Sequence, residues 1–547
     1  MGTTNGGSAT ADVVVIGAGI AGLVTTLELL DAGRDVLLLD RCRPEELGGL
    51  AREAFGGMFM VDTPEQRRSR VHDDVQLALA DWTRIAEFGP DDEWPRRWAE
   101  QYVSRARDDV GAWLRERAVR FFPVVNWAER GMFGDGNSVP RFHLTWGAGR
   151  ELVDAVWRAI EGHPRRSRVQ ARFGTLVTAL REDGGRVTGV EADDGAAPFA
   201  ITANAVVIAA GGVGGNLDIV RREWPAELGE PPERILMGSH LYADGAMHEE
   251  VTRIGGNVTH LDNMWNYADA VRHPEPQRPG HGLKLIPPRS AVYLDPTGRR
   301  YGPVPLMPTF DNYEALERLR EHPGWYAWCV CNFKIARREL DVSGSQHNPT
   351  IREKQLVRFL AGILLGKPTL VRYFLDRCPD FVSADSLPEL ARKMAEVTGD
   401  GELDAERMTA EIRRYDATIA RGKSLHNDDQ LRRIAQLRKW RGDRLRTANF
   451  QRIEDPEAGP LVAIRLQVMA RKSLGGIQTD LECRVLRPDG GAVEGLYAVG
   501  EAAGFGGGGM HGKRSLEGTF LGGCVFTGRL AGQAIARAGT GAALRAS

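Results

Sequence analysis

An α/β fold, organised around a parallel sheet and divided by a second lobe, is predicted by three features of this 547-residue chain. A glycine turn joins two apolar runs near the start. The same strand-and-glycine texture returns after residue 461, and a proline-rich, then helical and charge-laced stretch separates the two.

The first element is the run Val13-Val-Val-Ile16, which reads as a buried parallel strand. Gly17, Gly19 and Gly22 follow at GxGxxG spacing, enclosing Ile20 and Ala21. Gly17 permits a tight turn, Gly19 lets the backbone approach a pyrophosphate at the positive end of a helix, and Gly22 allows close packing of helix on strand. A second apolar run, Val36–Leu39, ends in Asp40 and Arg41, where a carboxylate is placed to accept hydrogen bonds from a ribose diol. Strand, turn, helix, strand and acid in this order predict a Rossmann-like unit for an ADP-containing cofactor.

Two glycine pairs come next, Gly48-Gly49 and Gly56-Gly57, whose backbones can run close to a flat ligand. From about Val71 to Arg120 the pattern is helical, with Trp82, Trp98 and Trp113 expected in a core. Two runs, Thr175–Leu180 and Arg186–Ala192, flank Asp183-Gly184-Gly185 and predict a β-hairpin. The strand Ala205–Ile208 leads to Ala210, Gly211 and Gly212 and is expected to rejoin the first sheet beside the nucleotide. The expected organisation is residues 1–257 as the first part of the cofactor domain, 258–460 as an inserted α+β capping domain, and 461–547 as the last part. Within the insertion, residues 355–375 are apolar with basic punctuation. A buried lobe helix is favoured there over a surface that meets lipid, because Gly366 and Pro368 break the run. A final helix is expected from about Leu516 to Ala538, stopped by Gly539.

Composition excludes several classes. A formal net charge of −2, with 42% hydrophobic and 26% charged residues, gives no electrostatic pull toward nucleic acid. Six scattered cysteines without a C-x-x-C pair suggest neither a zinc site nor a disulfide scaffold. His240, His260, His273 and His281 lack metal-ligand spacing, so no metal is assigned. The first eleven residues carry no basic side chain and no apolar core, which argues against a signal peptide and for a cytoplasmic protein. The glycines in residues 13–30 favour the nucleotide turn over a membrane span.

Six ordered motifs carry a resemblance: Val15–Gly22, Ala209–Gly212, Tyr242–Gly245, Ser473–Gly476, Gly495–Glu501 and Phe526–Gly532. With them the chain resembles the fumarate reductase and succinate dehydrogenase flavoprotein superfamily, in particular its FAD-binding dehydrogenases related to 3-ketosteroid dehydrogenases. The resemblance implies FAD, with the first glycine turn and Asp40 on its ADP half, Asp244 within its motif, Gly500 and Glu501 at the ribityl region, and Ser515 and Leu516 at a helix start aimed at the flavin. A helix N-terminus there would favour reduced-flavin charge by roughly 0.3–2 kcal/mol. No histidine adjoins the early glycine pair, so the FAD is expected to be noncovalent.

The departures bear on the substrate. Fumarate-reducing relatives have an arginine where this chain has Ser515, with Arg514 one position earlier, and a histidine where it has Arg471 or Lys472. Steroid dehydrogenases carry a tyrosine in the late glycine-rich segment, and none stands between Gly504 and Phe526. Proton handling is therefore expected from among His511, Lys472, Arg471, Arg514 and Tyr301. Each also has a structural reading: packing for His511 and Tyr301, solvation for Arg471 and Lys472, and a surface pair with Glu517 for Arg514. A phenol such as Tyr301 would need its pKa lowered by nearby cations. His143 and Trp146 are candidate pocket residues or parts of a turn.

The expected activity is hydride transfer between flavin N5 and a carbon next to an activating carbonyl, as desaturation or C=C reduction, of a small-molecule and bulky hydrophobic substrate. The electron acceptor or donor and the oligomeric state stay open. The alternatives are a flavin oxidase or ketone-forming enzyme acting on C–O or C–N bonds, and a catalytically silent FAD-binding protein.

Overall fold

The computed structural model describes residues 8–545, so most of the segment judged for a signal peptide lies outside the described residues. Val169–Arg172, Val36–Leu39, Ser8–Ile16 and Pro198–Ile208 form a parallel run in that order. Ala492–Ala498 adds in parallel beside the inner end of Pro198–Ile208. The hairpin Leu176–Asp183 and Arg186–Asp193 pairs antiparallel with the outer end of the same strand. A central strand thus has different neighbours at its two ends, and the carboxyl ends of the parallel strands open toward one cavity.

Close approach explains two of the glycines. Gly17 has φ +105°, and a Cβ there would lie 2.4 Å from the Ala209 carbonyl oxygen. A Cβ on Gly22 would lie 2.0 Å from the Gly17 carbonyl oxygen, so the helix Ile20–Asp31 can meet the turn only without a side chain at that point. That helix is buried along most of its length. The last helix, Thr519–Arg545, packs against it at Gly528 and Gly532, where a Cβ would lie 2.6 Å from the Ala21 carbonyl oxygen and 2.5 Å from Glu28 Cβ. The last helix starts later than expected and passes through Gly539. A lone glycine costs about 1 kcal/mol relative to alanine inside a helix and does not by itself end one.

The helices expected between residues 71 and 120 are Val75–Ala86, Glu93–Arg105 and Trp113–Glu116, with a π-helical stretch, Ala106–Ala112, before the last. Trp82, Trp98 and Trp113 are buried, as core residues should be.

The second lobe is built on an antiparallel sheet. Leu461–Ser473 is its central strand, flanked by Tyr326–Asn332 and Met264–Arg272, with Gly282–Ile286 beyond the latter. Leu236–Met237 joins the central strand in parallel. This sheet therefore draws strands from before residue 258 and after residue 460. The separate hydrophobic core beneath it includes Trp328, Leu390, Met394 and Ile464.

The expectation that residues 355–375 are buried holds for the second half, where Val371 and Phe374 enter the lobe core, and is corrected for the first. They form two short helices, Leu356–Leu365 and Pro368–Arg377, broken at Gly366 as predicted. The first has no buried residue. Leu356, Val357, Leu364 and Leu365 face solvent, because the lobe core is already closed by other elements.

Candidate active site

One cavity of about 350 Å³ runs between the two lobes. Its nucleotide-like end is mostly backbone. Gly17, Gly19, Ile20 and Ala21 line it from the first turn, Gly48, Gly49, Gly56 and Gly57 from the next two, and Ala210, Gly211 and Gly212 from the end of the central strand. The helix starting at Ile20 has no side-chain cap at Gly19, leaving its first N–H groups to the cavity. Asp40 lines the same end, and its carboxylate accepts from the N–H groups of Ala18 (2.6 Å) and Cys42 (2.7 Å). Each oxygen keeps a further lone pair, enough for a diol. Arg41 pairs with Asp244 at 2.8 Å and lies 4.2 Å over the Tyr242 ring; both Arg41 and Asp244 line the cavity.

Glu501 lines the middle of the cavity and accepts from the Ser473 N–H at 3.2 Å. Burial pushes its pKa up to about 7, against the pull of Lys472. Four residues expected at the cofactor are not part of this lining. Gly22 packs helix on strand, Gly500 donates its N–H to Thr527 Oγ1 (2.9 Å), and Ser515 and Leu516 face a separate small crevice. The Ser515 hydroxyl is engaged with Thr519 at 3.0 Å. Glu517 and Gly518 take the cavity wall instead, because the helix begins only at Thr519.

The other end of the cavity is a polar cluster. Tyr267 donates its hydroxyl to Glu517 Oε1 at 2.7 Å, and the Trp265 indole N–H reaches the same oxygen at 3.4 Å. Lys284 lies 4.2 Å from the Tyr267 ring centre and pairs with Asp269 at 3.1 Å. Lys472 lies 4.0 Å over the Phe520 ring and 5.5 Å from that of Tyr267. Tyr267, Lys284 and Lys472 stand on three neighbouring strands of the second sheet. Register shifts on either side of Tyr267 mark a local irregularity of the kind that re-aims a side chain.

Electrostatics divide the roles. Burial pushes Glu517 up, but Lys472, Lys284 and the Tyr267 hydroxyl outweigh it and hold the carboxyl below its usual range. Burial brings Lys472 down to about 8 despite Glu517, with Arg471 adding to the depression. Burial also lowers Lys284, yet Asp269, Glu517 and Glu129 together leave it raised. Glu129, buried on the same wall, is pushed well above the carboxylate range by burial and by Glu517 and Asp311. The Tyr267 phenol is likewise raised, by burial and by Glu517.

Of the five expected proton-handling residues, Lys472 and Arg471 line the cavity, with Arg471 bound to the Gly238 carbonyl. The other three do not line it. His511 lies behind the wall, stacked on Trp82 at 5.5 Å; burial and the charge of Lys472 bring it down to about 3. Arg514 turns away to Glu87, Glu317 and the Tyr313 ring rather than to Glu517. Tyr301 sits in the second-lobe core, where burial raises its phenol instead of nearby cations lowering it. His143 and Trp146 do not line the cavity either. His143 is buried against Thr63 (2.7 Å) and the Arg141 carbonyl, and Trp146 packs with Phe122 and Phe359.

Sequence reasoning missed Tyr267, Lys284 and Glu129 and misplaced Glu517. The available signal was an acid and a lysine, Asp269 and Lys284, within strands rich in apolar residues.

The backbone cradle, the uncapped helix start and Asp40 fit an ADP-bearing group, and the glycine-lined middle of the cavity fits a flat ring system. The model of the FAD-binding domain matches residues 12–521. The chain belongs to this family of FAD-binding flavoproteins. It is 43% identical to a KsdD-like steroid dehydrogenase of Mycobacterium tuberculosis, over 96% of each chain. Among solved structures, it resembles a 3-ketosteroid Δ1-dehydrogenase from Sterolibacterium denitrificans in complex with 1,4-androstadiene-3,17-dione. That match has a TM-score of 0.71 and 16% identity, covering 97% of this chain and all of the other. A flavocytochrome c3 fumarate reductase in an open conformation matches with TM-score 0.66 and 21% identity, over 97% of this chain and 79% of the other. These structural likenesses extend over both lobes of the flavoprotein. It is an FAD-dependent oxidoreductase.

Proposed function

We propose that this flavoprotein desaturates a carbon–carbon bond beside the ketone of a steroid-like substrate. The observation that carries the reading is the Tyr267–Glu517 hydrogen bond, set between two lysines at one end of a cavity whose other end suits a dinucleotide. Full-length similarity to a steroid dehydrogenase supports the substrate class.

When bound, FAD supplies the acceptor for the hydride that leaves one carbon of the new double bond. Glu517, kept ionised by Lys472 and Lys284, accepts the proton lost from the carbon next to the ketone. Tyr267 orients that carboxylate through its hydroxyl. Charge then grows on the ketone oxygen, and the Lys472 ammonium is the donor available to it. Phe505 and Phe520 give the cavity an apolar wall suited to a fused-ring hydrocarbon. We further propose that the FAD is noncovalent, held by Asp40 and the glycine turns.

The test is anaerobic mixing of the yellow holoenzyme with 3-ketosteroids saturated in the ring that bears the ketone. Bleaching of the flavin, with appearance of the matching unsaturated ketone, is the expected result. A flavin that is reduced by dithionite but by no 3-ketosteroid refutes the substrate class.

A further inference from the structure

The helix Leu356–Leu365 has no part in the site described above. Its ten residues are predominantly apolar, none is buried, and Leu356, Val357, Leu360, Leu364 and Leu365 are all exposed, Val357 at 81% and Leu365 at 74%. Isolated exposed apolar residues are ordinary; five on one short helix of a charged protein surface are not. From Lys354 through Leu375 the chain carries four basic residues, Lys354, Arg358, Lys367 and Arg372, and no acid. Arg358 is exposed on the helix itself and Arg372 on the helix that follows. At about 15 Å the helix is far too short to cross a bilayer of about 30 Å. No helix among the described residues is long and apolar enough to do so.

We propose that Leu356–Leu365 is a docking element that lies in the surface of an anionic lipid bilayer. Exposed leucines enter the acyl boundary, while Arg358 and Arg372 meet lipid phosphates. Charge decides the occupant: Lys354 is paired with Glu151 and Lys367 with Asp341, but the exposed Arg358 and Arg372 have no ion pair among the described residues and complement an acidic lipid surface, whereas a second copy of the same face would set arginine against arginine. Phe359 ties the helix to the body. Its ring lies 5.1 Å from Phe122 and 5.8 Å from Trp146, in a cluster that includes Phe55 and Phe142, and these two also line the cavity. The apolar face is thereby continuous with the cavity wall through one layer of aromatic rings. The docking itself does not depend on the proposed substrate.

The test is co-sedimentation of the FAD-loaded full-length protein with vesicles of phosphatidylcholine alone or mixed with phosphatidylglycerol. The wild-type protein is expected to sediment with the mixed vesicles and to be released by high salt. The double variant Leu364→Gln/Leu365→Gln should lose at least about tenfold in partitioning. Arg358→Gln alone should lose about fivefold. Because these residues are exposed, flavin content and melting temperature should match the wild type in both variants. Three results overturn the proposal: no sedimentation with either vesicle, sedimentation unchanged by the double leucine substitution, or a vesicle-indifferent dimer that the same substitution dissociates.

Discussion

At the glycine end of the cavity, the turns at Gly17, Gly48, Gly56 and Gly211 present backbone N–H groups and bare Cα atoms, and the charged side chains are Asp40, directed by two backbone bonds, and the Arg41–Asp244 pair. At the reaction end, Tyr267, Lys284, Lys472 and Glu517 arrive from three strands of one lobe and a loop of the other. The first end recognises a constant ligand by shape and tolerates few insertions of side-chain volume. The second is an ion cluster in which each charge sets the protonation of its neighbours, so single substitutions there should change chemistry far more than flavin content.

The largest effect is expected from Glu517→Gln, which removes the proposed base while keeping its shape. Flavin reduction by substrate should fall roughly 10²–10⁴-fold with bound FAD unchanged, as measured by anaerobic stopped-flow absorbance. Loss of FAD in parallel with activity would merge the two ends into one functional unit and sink the distinction.

Next comes pH. Lys472, brought down to about 8, is cationic below that value and neutral above it. If its charge is needed on the ketone oxygen, reduction rates should decline by up to about tenfold per unit as pH rises past about 8. In Lys472→Arg, whose guanidinium stays protonated, that limb should flatten even if the overall rate is lower. An unshifted limb would assign the titration elsewhere.

A smaller change belongs to the glycine end. Asp40→Asn should weaken FAD binding by roughly tenfold, the worth of one charge-assisted hydrogen bond lost. Turnover per bound flavin should stay near wild type, with flavin fluorescence titration giving the first quantity and reconstituted activity the second. The smallest effect is expected from His511→Phe. Neither ring nitrogen has a hydrogen-bond partner and the ring is stacked between aromatics, so rate and flavin content should both remain within about twofold. A pH-dependent loss of rate in this variant would restore His511 as a proton carrier.

How much was legible follows from where the information sits. The turn at Gly17, the hairpin through Gly184 and Gly185 and the strand into Gly211 are local patterns, and each formed where its residues indicated. The late glycine-rich segment pointed correctly toward the site but not to the right side chain. Ser515 and Glu517 are two residues apart, and only the later start of the final helix decides which faces the cavity. For residues 355–375 the pattern of apolar residues was the same whether buried or exposed, and the choice fell to other elements that had already covered the lobe core.

The sequence alone determined the cofactor class and the main turns and strands of its cradle, because a glycine turn and a strand-end acid act through backbone geometry that neighbouring residues specify. Tertiary structure decided the reaction end. Tyr267 and Glu517 are 250 residues apart, and their hydrogen bond, like the shared field of Lys472 and Lys284, exists only once two lobes have closed on the same volume.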